Sequence, residues 1–138
     1  MTTVTRSALV MHSAREMYDL VNDCESYPQF LPWCGNATLI ESSETHMVGK
    51  LEISKAGIKH SFTTRNTLEA PHHIHLQLVD GPFKKLEGDW KFEALSEEAC
   101  KVTLTMEFEF AGKLLSMALG GVFNQAANTM VEAFCKRA

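Results

Sequence analysis

The chain is poor in the features that announce chemistry. It has four cysteines among 138 residues, Cys24, Cys34, Cys100 and Cys135. None forms a Cys-x-x-Cys pair, so no zinc ribbon or thioredoxin-type redox motif is present, and the expectation is reduced, mostly buried thiols. There is no basic excess: 13 Lys and Arg against 17 Asp and Glu give a formal net charge of −4. That balance excludes a generic nucleic-acid binder and leaves only local basic patches open. No long hydrophobic run occurs, since the longest uncharged stretch, 114–131, is broken by Gly120, Gly121, Asn124, Gln125 and Asn128. The opening Met1-Thr2-Thr3-Val4 lacks the basic-then-apolar order of a secretory signal, so a cytoplasmic location is expected. No glycine-rich phosphate loop, Ser-His-Asp set or Cys-His set can be placed. Linkers, low-complexity tracts and repeats are also missing.

What remains is a globular composition, 45% hydrophobic and 22% charged, that rules out intrinsic disorder. Val4 to Met11 reads as a strand. Ser13 is a helix N-cap with Glu16 three residues on, a capping box, and Met17, Leu20 and Val21 supply a short helix's apolar face. The segment Ser26 to Gly35 carries Pro28 and Pro32, which forbid a regular helix or central strand. It also carries Tyr27, Phe30, Leu31 and Trp33, so it either caps the core or forms a lid or membrane-touching lip. From Asn36 to Phe110 the period is two. Strands are expected at Ala37–Glu41, Met47–Ser54, Ile58–Leu68, around Ile74–Leu78, around Leu86–Glu93 and at Lys101–Phe110, with turns at Lys55-Ala56-Gly57 and Asp80-Gly81-Pro82. The last strand alternates most cleanly, with Val102, Leu104, Met106, Phe108 and Phe110 on one face and Lys101, Thr103, Thr105, Glu107 and Glu109 on the other. Lys113 to Lys136 switches to a helical period, with Leu115, Leu119, Val122, Ala126, Met130 and Phe134 in one stripe and Phe123 widening it. Gly120-Gly121 inside that helix predicts a kink or a close approach near a cavity.

The implied architecture is α+β: a curved seven-stranded antiparallel sheet wrapped around a long C-terminal helix, with short helical structure after the first strand. Between a curled sheet and one helix there is room for a cavity. Its expected lining is Trp33, then Leu51, Ile53, Ile58, Phe62, Leu76, Leu78, Trp90, Phe92, Met106 and Phe108 from the strands, and Leu119, Val122, Phe123 and Met130 from the helix. His60, Thr64 and Asn66 share the face of Phe62 if the strand keeps its register. They are either polar contacts for a ligand or satisfied core polars. Lys55, Lys59, Arg65, Lys84 and Lys85 are expected near one end of the sheet, as solubilising turn residues or as contacts for RNA phosphates. His72-His73-Ile74-His75 places His73 and His75 on one outward face. With no carboxylate or thiol in the motif they read as solvated imidazoles, and no metal site is expected.

Several separated motifs resemble one family. Ser26-Tyr27-Pro28-Gln29-Phe30-Leu31-Pro32, Asp80-Gly81-Pro82-Phe83-Lys84-Lys85-Leu86, Gly88-Asp89-Trp90-Lys91-Phe92, Phe108-Glu109-Phe110 and Ala133-Phe134 with Arg137-Ala138 resemble the coenzyme Q-binding branch of the START-like superfamily. Ser54-Lys55-Ala56-Gly57-Ile58 is most similar to its bacterial ribosome association toxin group. The resemblance covers nearly the whole chain and implies a single START-like domain, 1–138, with the helix-grip fold and no cofactor. It implies a non-enzymatic protein that holds a quinone or similar lipid between sheet and helix, linked to respiration, with at most transient membrane contact. The alternative it implies is a toxin-type translation inhibitor that binds the large ribosomal subunit and blocks subunit association. A polyketide cyclase-like enzyme is the third reading, for which His60 is the obvious acid–base candidate.

Overall fold

A computed structural model of the chain describes residues 2–55 and 57–138, with the backbone alone for Lys55 and Ile58. The element order is β1 (Thr2–Val10), α1 (Ala14–Asn22), a 3-10 helix (Cys24–Gln29), β2 (Cys34–Ser42), β3 (His46–Lys55), β4 (Ile58–Glu69), β5 (His73–Asp80), β6 (Phe83–Ser96), β7 (Ala99–Phe110) and α2 (Lys113–Arg137). All seven strands form one antiparallel sheet in the order β1-β7-β6-β5-β4-β3-β2. Consecutive strands from β2 to β7 pair as neighbours, while β1 crosses over to pair with β7. This is the expected helix-grip arrangement.

Local chemistry explains the boundaries. Ser13 Oγ accepts from the Glu16 amide at 3.1 Å, and Glu16 Oε1 accepts from the Ser13 amide at 3.2 Å, so the capping box starts α1 as read. Its buried Ala14, Met17, Tyr18 and Val21 face the core. The start of the proline segment lies in the 3-10 helix Cys24–Gln29 with Pro28 inside it, since a short 3-10 stretch tolerates the missing amide, and residues 30–33 connect it to β2. At the β5–β6 turn Gly81 has φ +154°, and a Cβ there would lie 2.7 Å from Phe62 Cβ; only glycine fits. A register shift between Phe83 and Lys85 lets Phe83 and Leu86 both be buried while Lys84 and Lys85 stay on the outer side. The expected turn at Lys55-Ala56-Gly57 lies partly outside the described residues.

The helix α2 is held by two aromatic clusters. Phe123 sits 4.7 Å from Phe108 and 4.8 Å from Phe83, centroid to centroid. Phe134 sits 5.1–5.3 Å from Phe30, Tyr27 and Trp90. Edge-to-face geometry at these distances adds to the apolar burial. Arg137 closes the end, its guanidinium 5.1 Å over the Phe30 ring. The close approach expected at Gly120-Gly121 is not found. Both lie within a continuous helix, and a Cβ would meet nothing within 4 Å at Gly121 and only Ser116 Oγ, at 4.0 Å, at Gly120. The bare backbone instead leaves a groove of about 330 Å³ against Thr2, Phe108 and Phe110.

Candidate functional site

A cavity of about 50 Å³ lies between the sheet and the C-terminal half of α2. Alternation along the strands brings Met47, Gly49 and Leu51 of β3, Phe62, Thr64 and Asn66 of β4, Leu76 of β5, Leu86 and Trp90 of β6 and Met106 of β7 to one wall. Phe123, Ala126, Ala127 and Met130 form the roof, and Val21, Cys24, Tyr27 and Trp33 close one side. Of the residues expected from the sequence, Trp33, Leu51, Phe62, Thr64, Leu76, Trp90, Met106, Phe123 and Met130 therefore reach the cavity.

The others do not. Ile53, Phe92, Phe108 and Leu119 are buried but packed into the core away from it. Phe92 spends its face on Trp90, stacked at 6.2 Å, and on Tyr18 at 5.8 Å. Leu78 and Val122 are only half-buried. His60 keeps the predicted face but lies opposite Ile53, beyond the cavity and half-exposed. The side chain of Ile58 lies outside the description. Sequence reasoning missed Val21, Cys24, Tyr27, Met47, Gly49, Leu86 and Ala127. Of these only Tyr27 left a signal, as one of the apolar residues of the segment Ser26 to Gly35.

The polar content of the cavity is one pair. Thr64 Oγ1 donates to Asn66 Oδ1 at 3.0 Å, and Asn66 Nδ2 reaches only Met47 Sδ, at 3.9 Å. Sulfur is a weak acceptor, so the amide retains donor capacity toward the cavity. Tyr27 donates its hydroxyl to the Val21 carbonyl, and burial pushes that phenol far above its usual range. Burial likewise raises the thiols of Cys24 and Cys34 to about 11, so both stay neutral and unreactive. The described lining holds no Asp, Glu, His, Lys or Arg. The site can enclose and hydrogen-bond; it presents no general acid or base near neutrality. The proline segment caps the core: Tyr27, Leu31 and Trp33 are buried, so its rings do not form an exposed lip. Among the described residues no helix is long and apolar enough to cross a membrane.

The basic residues lie on two strands and do not stand alone. Lys59 and Arg65 are exposed on the outer face of β4. Lys84 and Lys85 lie at the start of β6, 3.7 Å from Glu109 and 3.1 Å from Glu107 respectively. The charge there is thus partly neutralised by β7, which the spacing within β6 did not show. Lys113 adds a cation nearby, since the Ala111 amide binds the Pro82 carbonyl at 2.9 Å and so seats the start of α2 against the same turn. Lys55's side chain lies outside the description. On the outer face of β5, His73 and His75 are not solvated imidazoles alone: strand pairing sets Asp89 between them.

Comparison with known proteins agrees with this geometry. The family model described as polyketide cyclase / dehydrase and lipid transport matches residues 10–135. The ribosome association toxin RatA of Escherichia coli (strain K12) is 51% identical over 138 residues, covering 100% of this chain and 87% of the relative. The mitochondrial coenzyme Q-binding protein COQ10 homolog B of Xenopus laevis is 27% identical over 97% of this chain and 57% of its own length. Among solved structures, the Zhui aromatase/cyclase of a Streptomyces species superposes with a TM-score of 0.83 at 18% identity, covering 99% of this chain and 92% of the other. That likeness speaks for the fold alone.

Proposed function

Because the chain belongs to the START-like polyketide cyclase / dehydrase and lipid transport family, with relatives named as ribosome association toxins at about half identity, we propose that it is a cytoplasmic translation inhibitor that binds the large ribosomal subunit and hinders subunit association. The observation that carries this reading is the 51% identity to a ribosome association toxin along the full chain, against 27% to a coenzyme Q-binding protein. The cavity supports the same choice. Its volume of about 50 Å³ is a third of the roughly 150 Å³ that an engineered apolar cavity needs to take one benzene. It is far below the roughly 300–1,000 Å³ of ordinary ligand sites. A quinone ring does not fit this volume unless the walls move apart. The ribosome-facing surface is assigned to the end of the sheet bearing Lys59, Lys84, Lys85 and Lys113, where ribosomal RNA phosphates meet cations despite the net charge of −4.

The test is subunit joining followed on sucrose gradients, with purified small and large subunits and increasing protein. Joined ribosomes are expected to decline at stoichiometric protein, with the chain co-sedimenting with the large subunit. Lys84→Glu with Lys85→Glu is expected to weaken that binding at least tenfold and flatten its salt dependence. Undiminished joining in the presence of folded protein overturns the proposal.

A second reading rests on the Thr64–Asn66 pair, which offers an amide donor inside an otherwise apolar wall. In that reading the cavity opens to hold a quinone or similar lipid, with a carbonyl on Asn66 Nδ2. Trp33 and Trp90 both line the cavity, so a ubiquinone titration read by their fluorescence tests it. Saturable quenching that Asn66→Leu abolishes supports quinone holding; none in a folded sample removes it.

A further inference from the structure

The outer face of β5 and β6 carries a side-chain cluster that neither the cavity nor the basic end uses. In the antiparallel register His75 faces Asp89, and His73 lies two residues along β5 on the same face, opposite Lys91. Asp89 Oδ1 lies 2.6 Å from His73 Nε2 and 2.8 Å from His75 Nδ1. The remaining ring nitrogens also face carboxylates: His73 Nδ1 is 3.3 Å from Glu69 Oε1 and His75 Nε2 is 3.1 Å from Glu87 Oε1. The chain thus runs Glu69–His73–Asp89–His75–Glu87, across three strands.

We propose that His73, His75 and Asp89 bind one divalent transition-metal ion of the zinc class, with Glu69 and Glu87 orienting the two imidazoles from outside.

The side-chain geometry accommodates it. A neutral imidazole has a single N–H, yet each ring stands between two carboxylates that both want a donor. If the inward nitrogens of both rings coordinate one dication, each ring remains neutral and gives its one N–H to its outer glutamate. That is the arrangement in which metal-bound histidines are held, and it fixes both tautomer and ring direction. One ligand atom from each of His73, His75 and Asp89 already lies within 4.8 Å of the others. Tetrahedral zinc at about 2.0–2.1 Å needs ligand atoms roughly 3.3 Å apart, so small side-chain rotations suffice. The three side chains are 26%, 27% and 35% exposed, which leaves the outward coordination position to water. The carboxylates of Glu69, Asp89 and Glu87 stand against Lys91 and Lys101, which share an outer groove with His73. Imidazole with carboxylate suits zinc, nickel and copper ahead of magnesium or calcium.

The test is a titration of the reduced full chain with zinc chloride, by calorimetry and by competition with a chromogenic chelator, repeated with nickel and with excess magnesium. One equivalent of zinc is expected, unaffected by magnesium. Glu87→Gln should weaken it by about 10–100-fold, and Asp89→Asn and His75→Gln, which remove ligands, should each weaken it more than that. In the unaltered protein, NMR should place the zinc-induced shifts on the imidazoles of His73 and His75 and not on those of His12, His46, His60 or His72. That mapping needs no variant to fold. Equal affinity in the His73→Gln/His75→Gln protein, shifts confined to other histidines, or no saturable binding overturns the proposal.

Discussion

The two halves of α2 share one sequence pattern and meet opposite fates. The C-terminal half is gripped: Phe123, Ala126, Ala127, Met130, Val131 and Phe134 are all buried. The first turns, 113–118, are looser: Leu114 is 84% and Met117 82% exposed, Leu115 is half-buried and Gly112 offers no side-chain cap, and full burial begins only at Leu119. A helical stripe states which residues could be buried together. What lies opposite decides whether they are. The rings of Phe83, Phe108 and Trp90 meet rings of the later turns, at Phe123 and Phe134, whereas Phe108 and Phe110 face Ser116 across an open groove. Stability should follow the same division, high in the gripped half and low at the start of the helix.

The largest test of that contrast is Phe134→Ala. It empties the centre of a cluster of three other rings and is expected to lower unfolding free energy by about 3–5 kcal/mol, read from urea denaturation. Leu114→Ser or Met117→Ser should stay within about 0.5 kcal/mol of the parent. Comparable losses at Leu114 and Phe134 would break the division. Thiol chemistry under the gripped half sharpens it. Burial holds Cys24 and Cys34 at about 11, so both should resist a disulfide reagent at pH 8 and react promptly in denaturant. Since the folded values lie above the ordinary thiol value of 9.0, the stability these neutral thiols lend is whole below pH 9. It is lost as the pH rises toward about 11, so the urea midpoint should fall over that window. A small gain is expected at Gly121→Ala. With open space at the Cβ, the change should add roughly 0.5–1 kcal/mol through helix propensity. A loss instead would mean that the free half of α2 has a partner surface.

Most of the fold was legible because one buried face writes a period of two into each strand and the capping box Ser13–Glu16 marks its helix directly. Thr64 and Asn66 were found on the same ground, as even positions with Phe62. The rest of the site depends on which strand lies beside which. Leu86 and Met47 reach the cavity through packing that alternation alone does not rank, and His60 misses it although its parity is right. Asp89 reaches His73 and His75 only across the β5–β6 pairing, and Glu107 and Glu109 reach Lys85 and Lys84 only across β6–β7. Periodicity along a strand carries no information about its neighbour's charges. The two glycines misled for a related reason: small residues admit a close approach but do not supply one.

The crossover of β1 has a consequence in time. About ninety residues separate the end of β1 from the start of β7, its one strand neighbour. At roughly 5–20 residues per second of synthesis, β1 waits about 5–20 s for that partner to be made. Hairpin by hairpin, β2 to β7 can assemble as they emerge, while the earliest strand has nothing to join. Its composition suits the wait: Val4 is buried in the final sheet, but Thr2, Thr3, Thr5, Arg6 and Ser7 all face water. Although Leu9 is exposed at its far end, a polar first half with an arginine at the strand's middle discourages pairing with a stranger's edge. The nascent chain thus carries its own protection through the seconds before the sheet can close.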